Sequence, residues 1–327
     1  MDNHAVDAQT IGSFYGVKGR MLSRQYKDYL SEFKNWSQLS HARKWILYPE
    51  NLGKQLSIDE TSLSHGELYT VLTNKSARGK KGSIVAIISG TKAEDVIQVL
   101  RKLPESKRKK VEEVTLDLAA NMELIVKRCF PKAVRVTDRF HVQQLASEAV
   151  QELRINHRWQ ALEAENEAIE KARKEKAEFN PLILANGDTL KQLLVRSRYL
   201  LYKSRNEWTA VQKERADILF NLYPDLEKAY QLAEQLRQLF NHTQDKVYAL
   251  AKLAKWHEAV RQSEFKTFNT VARTVQNHYQ TILNYFDNRS TNASAESFNA
   301  KIKAFRAQFR GVRNIEFYLF RLCKIYA

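Results

Sequence analysis

Every run of this 327-residue sequence that reads as a β-strand falls before residue 138, and that boundary constrains the fold more than any other feature. From about residue 142 onward the texture changes: Gly187 is the only glycine between Gly90 and Gly311, and strand-like alternation disappears. Such a stretch reads as all helix. The expected fold class is therefore mixed α/β, a strand-containing core followed by a large all-α insertion.

Within the first part, Leu56–Glu60, Leu68–Thr73 and Ser83–Ser89 read as three strands in quick succession, an antiparallel meander whose last turn uses Gly79 and Gly82. The spacing of Val96, Ile97, Val99, Leu100 and Leu103 predicts a helix from Ala93, closed by Pro104. A strand over Val111–Asp117, a helix over Asn121–Cys129, a strand over Val134–Val136 and a helix from Arg139 complete the order β-β-β-α-β-α-β-α. The first 50 residues read as two short helices, either a docking segment for DNA or a cap on the core. Trp159–Glu178 reads as a long solvated arm, and Leu190, Leu193, Leu194, Leu200 and Leu201 outline an apolar face. Breaks are expected at Asn186–Thr189, Tyr223-Pro224-Asp225 and Asn241-His242-Thr243.

Lys and Arg outnumber Asp and Glu by 53 to 37, a formal charge of +16, which draws polyanions, nucleic acid first among them. A basic surface kept for solubility gives the same count. Only Cys129 and Cys323 are present, so neither a disulfide framework nor a cysteine-rich zinc site can be built; both read as buried fillers. No apolar run approaches the roughly 18 residues of a membrane span, and the start does not read as a signal peptide. A soluble, intracellular protein without a membrane partner is expected.

Asp59 sits in the first predicted strand and Asp117 ends the fourth, so in a sheet where those strands are neighbours the two carboxylates meet at one edge. Glu296 opens a helix capped by Asn292 or Ser294 and stopped by Gly311. Phe298, Ile302, Phe305 and Phe309 form its buried stripe, and Glu296, Asn299, Lys303, Arg306 and Arg310 its opposite face. One acid thus heads a row of cations suited to phosphate contacts, although a solvated helix face gives the same pattern. Three hard carboxylates suit Mg²⁺ or Mn²⁺, and two such ions roughly 3.5–4 Å apart can activate an attacking oxygen and stabilise a leaving one. Taken singly, each acid has a plainer reading: Asp59 a strand-end charge, Asp117 a helix cap, Glu296 a surface group.

The segments Ser57-Ile58-Asp59-Glu60-Thr61, Leu116–Met122, Val136–Val142 and Asn292–Lys303 together resemble the DDE transposases of bacterial insertion sequences, in the ISL group, with similarity from about residue 20 to the end. The resemblance implies an RNase H-like core divided by the helical insertion, with Asp59, Asp117 and Glu296 as catalytic and metal-binding triad and two ions. It implies an N-terminal helical segment over 1–52, a first part of the core over 53–145, the insertion over 146–288 and C-terminal helices over 289–327. Asp138-Arg139-Phe140-His141 resembles an Asp-x-x-His signature that lies near the active site; a helix cap at Asp138 with His141 packed beside the core is the other reading. Asn292 and Asn299 fall near the last acid. Relatives often have Arg where Ser294 stands and Gly where Ser297 stands, so Arg289 is a candidate substitute for that arginine.

The activity implied is metal-dependent cleavage at insertion-sequence ends and transfer of the 3′-hydroxyl into target DNA. Two alternatives remain: a structure-selective nuclease with the same core that never joins strands, and a non-catalytic DNA-binding protein derived from a transposase. Lys301, Lys303, Arg306, Arg310, Arg313 and Arg289 are the candidate phosphate contacts, with Lys107–Lys110 a further basic cluster. Trp159, Trp208 and Trp256 are either stacking platforms for a flipped base or core residues. The partners expected are double-stranded DNA (terminal inverted repeats and target), further copies of the chain in a synaptic complex, and a separate end-recognising polypeptide. The expected location is the bacterial cytoplasm, at the nucleoid.

Overall fold

The computed structural model describes residues 1–64, 66–308 and 314–327, apart from the side chains of Ser64 and Ser294. The chain divides into a sheet unit, Met1–Asp138 with Asn288–Ala327, and a helical unit, Arg139–Asp287.

The sheet unit begins with α1 (Ala8–Tyr15) and α2 (Gly19–Gln25), followed by a six-stranded sheet of β1 (Trp45–Leu47), β2 (Gln55–Ser64), β3 (Glu67–Asn74), β4 (Ile84–Ser89), β5 (Glu113–Leu116) and β6 (Val134–Thr137). Helix α3 (Ala93–Leu100) and the short α4 (Glu105–Arg108) lie between β4 and β5, and α5 (Ala120–Cys129) between β5 and β6. The strand order is β1-β4-β3-β2-β5-β6. Strands β2, β3 and β4 pair antiparallel, as short turns allow, whereas β5 joins β2 and β6 joins β5 in parallel, which requires the helical crossovers. The meander and the alternation after it are as the sequence predicts, and β2 and β5, the first and fourth strands of that reading, are neighbours.

Strand β1 is a correction to the purely helical expectation for residues 1–52: it pairs antiparallel with β4 through Trp45↔Ile88, Ile46↔Ile87 and Leu47↔Ala86. Three residues are too few for a period-2 signal, so only the exposed edge of β4 makes this segment a strand. The predicted Ala93 helix also stops at Leu100 rather than Leu103, the last residues forming a turn.

Alternation along the strands separates two cores. Leu56 and Ile58 of β2 and Val114 and Leu116 of β5 pack with Val96 and Leu100 of α3 and Ile125 and Val126 of α5. On the other face Leu63, Tyr69 and Val71 pack with the C-terminal helices α14 (Ala293–Gln308) and α15 (Ile315–Tyr326). Helix α14 is held by Phe298, Ile302 and Phe305, each at most 1% exposed; such burial stabilises by roughly 1.5–3 kcal/mol per side chain. The N-terminal segment packs on α15, with Phe33 5.1 Å from Phe317 and Trp36 5.5 Å from Phe320 between ring centroids, so part of it caps the core. Cys129 and Cys323 are buried free thiols.

The helical unit comprises α6 (Arg139–Lys174), α7 (Leu190–Arg196), α8 (Ala210–Leu222), α9 (Pro224–His242), α10 (Lys246–Ser263), α11 (Lys266–Asn277), α12 (Tyr279–Leu283) and most of α13 (Tyr285–Asn288). All three predicted breaks separate helices: α8 stops at Leu222, Pro224 starts α9 at a position where its missing N–H costs nothing, and α9 ends at His242. Leu193, Leu194, Leu200 and Leu201 are buried. Trp208 and Trp256 are core residues, their indole N–H groups donating to the Leu200 and Leu232 carbonyls at 2.8 and 2.9 Å, while Trp159 is 55% exposed.

The unit's most demanding polar contact is Asp188, fully buried before α7 and bonded by Arg196 and by Arg215 at 3.0 Å. Burial alone would raise its pKa, but the hydrogen bonds from Arg215 and Arg196 outweigh it and the net direction is down. A carboxylate whose pKa is depressed by folding stabilises above its ordinary range, and that contribution vanishes as pH falls through the depressed value. Asp188→Asn is expected to destabilise the helical unit by about 3 kcal/mol at neutral pH, since it breaks a buried pair; denaturant unfolding followed by circular dichroism measures this, with the gap from the parent closing toward acid pH.

Candidate active site

Strand β2 alternates between the two cores, so Ser57, Asp59, Thr61 and Leu63 share the face that carries α14. Strand β5 does the same with Glu113, Thr115 and Asp117, the last residue lying just past its end. The parallel register pairs Gln55 with Glu113 and Ser57 with Thr115. Continued by two residues, it sets Asp59 level with Asp117 on adjacent strands, whose backbones run about 4.8 Å apart. The next pair, Leu116↔Thr137, continues in the same way to Asp138, whose N–H donates to the Leu116 carbonyl at 2.9 Å. Three aspartates thus fall at one level of three neighbouring parallel strands, Asp117 and Asp138 just past the ends of β5 and β6 and Asp59 midway along the longer β2.

Local contacts orient the first two. The Glu60 N–H donates to Asp59 Oδ1 and the Ala119 N–H to Asp117 Oδ1, both at 2.8 Å, so each carboxylate satisfies the backbone of the residues that follow it. Asn299 Nδ2 donates to Asp59 Oδ2 at 2.7 Å, tying α14 to β2. Glu296 stands three residues earlier on the same helix, exposed in its first turn, and its N–H donates to the Asn292 carbonyl at 2.9 Å. The helix that bears the third acid is therefore fastened beside the first.

A divalent ion of the Mg²⁺ type takes oxygen ligands, and the level carboxylates of Asp59 and Asp117, with Glu296 on the adjoining helix, are a donor set of that chemistry. Among the described residues no three His, Cys, Asp or Glu side chains are gathered as a ready metal group. An amide, Asn299, holds the Asp59 oxygen that an ion would need.

The candidate phosphate contacts divide. Lys303 and Arg289 are exposed. Lys301 is turned back, with Nζ donating to the Gly79 carbonyl at 2.7 Å and lying over the Tyr326 ring, and Arg306 is half-buried with Nη1 3.5 Å from the Ser62 carbonyl. Arg310 and Arg313, together with Phe309 and Gly311, lie outside the described residues. His141 stands in the first turn of α6 in the helical unit, half-buried, edge-to-face with Phe140.

Three polar features here escaped the reading of the sequence. Lys75 Nζ donates to Glu113 Oε1 at 3.1 Å and to Thr115 Oγ1 at 2.8 Å, a nearly buried ion pair on the same sheet face as the acids. The i, i+2, i+4 spacing of Glu113, Thr115 and Asp117 was the available signal. Glu60 accepts from Asn121 Nδ2 at 3.4 Å; burial first, and the Asp117 charge in addition, raise its pKa against that bond. Asn292 is fully buried, and among the described residues neither Oδ1 nor Nδ2 has a hydrogen-bond partner.

An acid whose pKa rises on folding binds protons more tightly in the native state, so its cost to stability appears as pH climbs from the ordinary carboxylate range through the raised value. Glu60→Gln is thus expected to unfold at higher denaturant than the parent at neutral pH and at the same denaturant below the ordinary range, as read from unfolding curves across pH. An unpaired buried polar group costs about 1–3 kcal/mol, and an apolar group of like shape removes that cost. Asn292→Leu is expected to gain about 1–2 kcal/mol in the same assay; a loss of stability would show that the amide is paired.

A family model described as a transposase, of the DDE class and ISL3 group, matches residues 56–322. The transposase for insertion sequence element IS1001 of Bordetella parapertussis is 23% identical over 269 residues, covering 82% of this chain and 59% of that protein. The chain thus spans less than two thirds of that relative's length. DDE transposases generally use divalent metal ions. Among the described residues no helix is long and apolar enough to cross a membrane. A match across most of the chain, enclosing the sheet acids and the helix that bears Glu296, makes this protein a member of the ISL3-group DDE transposase family.

Proposed function

We propose that the chain cuts DNA at the ends of an insertion sequence and joins the freed 3′-hydroxyl to target DNA, with Asp59, Asp117 and Glu296 as the catalytic triad. The observation that carries this reading is the common level of Asp59 and Asp117 on adjacent parallel strands, under the helix that bears Glu296. Bound Mg²⁺ or Mn²⁺, two ions in this reading, would supply Lewis-acid activation of the attacking and leaving oxygens. The protein's own part would be placement: the sheet would hold two carboxylates and α14 would carry the third, with Asn299 donating to Asp59. Glu296 is exposed in the first turn of α14, three residues ahead of the Asn299 that bonds Asp59.

Around this centre Lys303, Arg289, Lys301, Arg306, Arg310 and Arg313 would hold phosphates of the transposon end and the target, with Asp138 adjoining and His141 a further candidate. The overall charge of +16 favours that encounter and makes it sensitive to salt. The partners proposed are double-stranded DNA, further copies of the chain, and a separate polypeptide that recognises the ends; the setting proposed is the bacterial cytoplasm at the nucleoid.

The test is strand transfer on labelled terminal inverted repeats with Mg²⁺ or Mn²⁺. Asp59→Asn, Asp117→Asn and Glu296→Gln are each expected to lose at least about 100-fold in both cleavage and joining, as loss of a metal ligand requires, while binding the same DNA in a gel-shift assay. Cleavage without joining by the parent would favour the nuclease, and variants as active as the parent would remove the triad.

A further inference from the structure

Helix α6 runs for 36 residues, but its buried side chains stop at Arg154. Past that point Ile155, Trp159, Leu162, Asn166 and Ile169 recur at spacings of four and three, which sets them along one side of the helix as a two-helix seam requires. Ile155 is 38% exposed, Trp159 55% and Ile169 41%; Leu162 is half-buried and Asn166 exposed. Single exposed apolar residues are ordinary on a protein surface. Four on one helical line, interrupted only by an asparagine, form a stripe.

The flanks of the stripe differ in sign. On one side stand Arg158 and Glu165, and Lys191 of α7 neutralises Glu165 with Nζ 2.7 Å from its carboxylate, so this flank is net positive through Arg158. Glu163 and Glu170 line the other. In a parallel pair of identical helices the basic flank of each meets the acidic flank of the other, whereas antiparallel pairing sets acid against acid. Asn166 falls at a seam position where a lone asparagine pairs with its own copy and fixes register and strand number. The acidic flank repels phosphates, so neither DNA nor an anionic lipid surface suits this face.

We propose that two copies of this transposase pair in parallel through residues 155–173 of α6, with Asn166 opposite Asn166 of the second copy. The seam is about 28 Å long at 1.5 Å per residue, under three heptads. So short a seam forms at high protein concentration or where another tether, such as two DNA ends, brings the copies together. The inference stands on the helical unit alone and is independent of the chemistry assigned to the carboxylates.

Disulfide trapping in the full chain tests it. Asn166→Cys would bring two thiols to the close Cα separation a disulfide needs, while Ala168→Cys, exposed on another side of the helix, would not. Native Cys129 and Cys323 are buried and serve as silent background. Under mild oxidation the Asn166→Cys chain is expected to form dimer at several times the yield of Ala168→Cys, and adding Trp159→Glu and Ile169→Glu, both at exposed positions, should return it to that background with unchanged circular dichroism. Equal yields at 166 and 168, or a dimer that survives the two glutamates, would overturn the proposal. Preferential trapping of an Ile155→Cys chain to an Arg173→Cys chain would also overturn it, because that pattern belongs to antiparallel helices.

Discussion

The parallel register between β2 and β5 is the constraint on which the candidate site depends. Side chains alternate across a strand, so a slip of one residue would send Asp59 into the core built on Leu56 and Ile58, or Asp117 into the one built on Val114 and Leu116. Apolar residues on the α3–α5 face make such a slip costly, and the register of the hydrophobic pairs therefore sets the register of the acids. The common level of these acids is a by-product of core packing, set where β5 ends and β2 continues past it.

The same logic accounts for the polar row along that face. Ser57, Thr115 and Glu113 precede Asp59 and Asp117 on the same sheet face, and Lys75 follows β3 beside them. Lys75 meets Thr115 and Glu113, and the Lys75–Glu113 pair is nearly dry. A pair of that kind adds little net stability but punishes the loss of either partner, so it holds the start of β5 to the end of β3. Helix α14 completes the arrangement by burying three large side chains on this face while keeping Asn299 and Glu296 on its polar side.

The helical unit solves a different problem. With one glycine, it depends on capping and buried charge pairs to end and orient its helices. Thr189 and Thr209 each close a reciprocal capping box, and Asp188 holds Arg196 and Arg215 together before α7. Arg154, 5% exposed, donates to the Leu194 carbonyl at 2.9 Å and so fixes α6 to α7 just before α6 runs free of the core. Beyond that anchor, His157 to Asp225 at 2.7 Å and Glu165 to Lys191 at 2.7 Å tie α6 further to its neighbours.

Much of this was legible in advance because it follows from local periodicity. The strand order before residue 138, the helical texture after it, the helix breaks at Pro224 and Asn241, and the buried stripe of Phe298, Ile302 and Phe305 are all patterns that a chain carries within a few turns or rungs. Asp117 and Glu296 were visible as acids at element ends, and Asp59 as an acid within a strand. What the sequence could not settle are contacts between residues far apart along it. That Trp45–Leu47 becomes a strand depends on the free edge of β4. That Lys75 reaches Glu113, that Asn299 reaches Asp59, that Lys301 bends back to Gly79 and that Asn292 is sealed from water depend on how α14 and the sheet close over one another. Periodicity selects which face a side chain occupies; only tertiary packing selects its neighbour, because that choice is made by shape and desolvation between segments that share no local geometry.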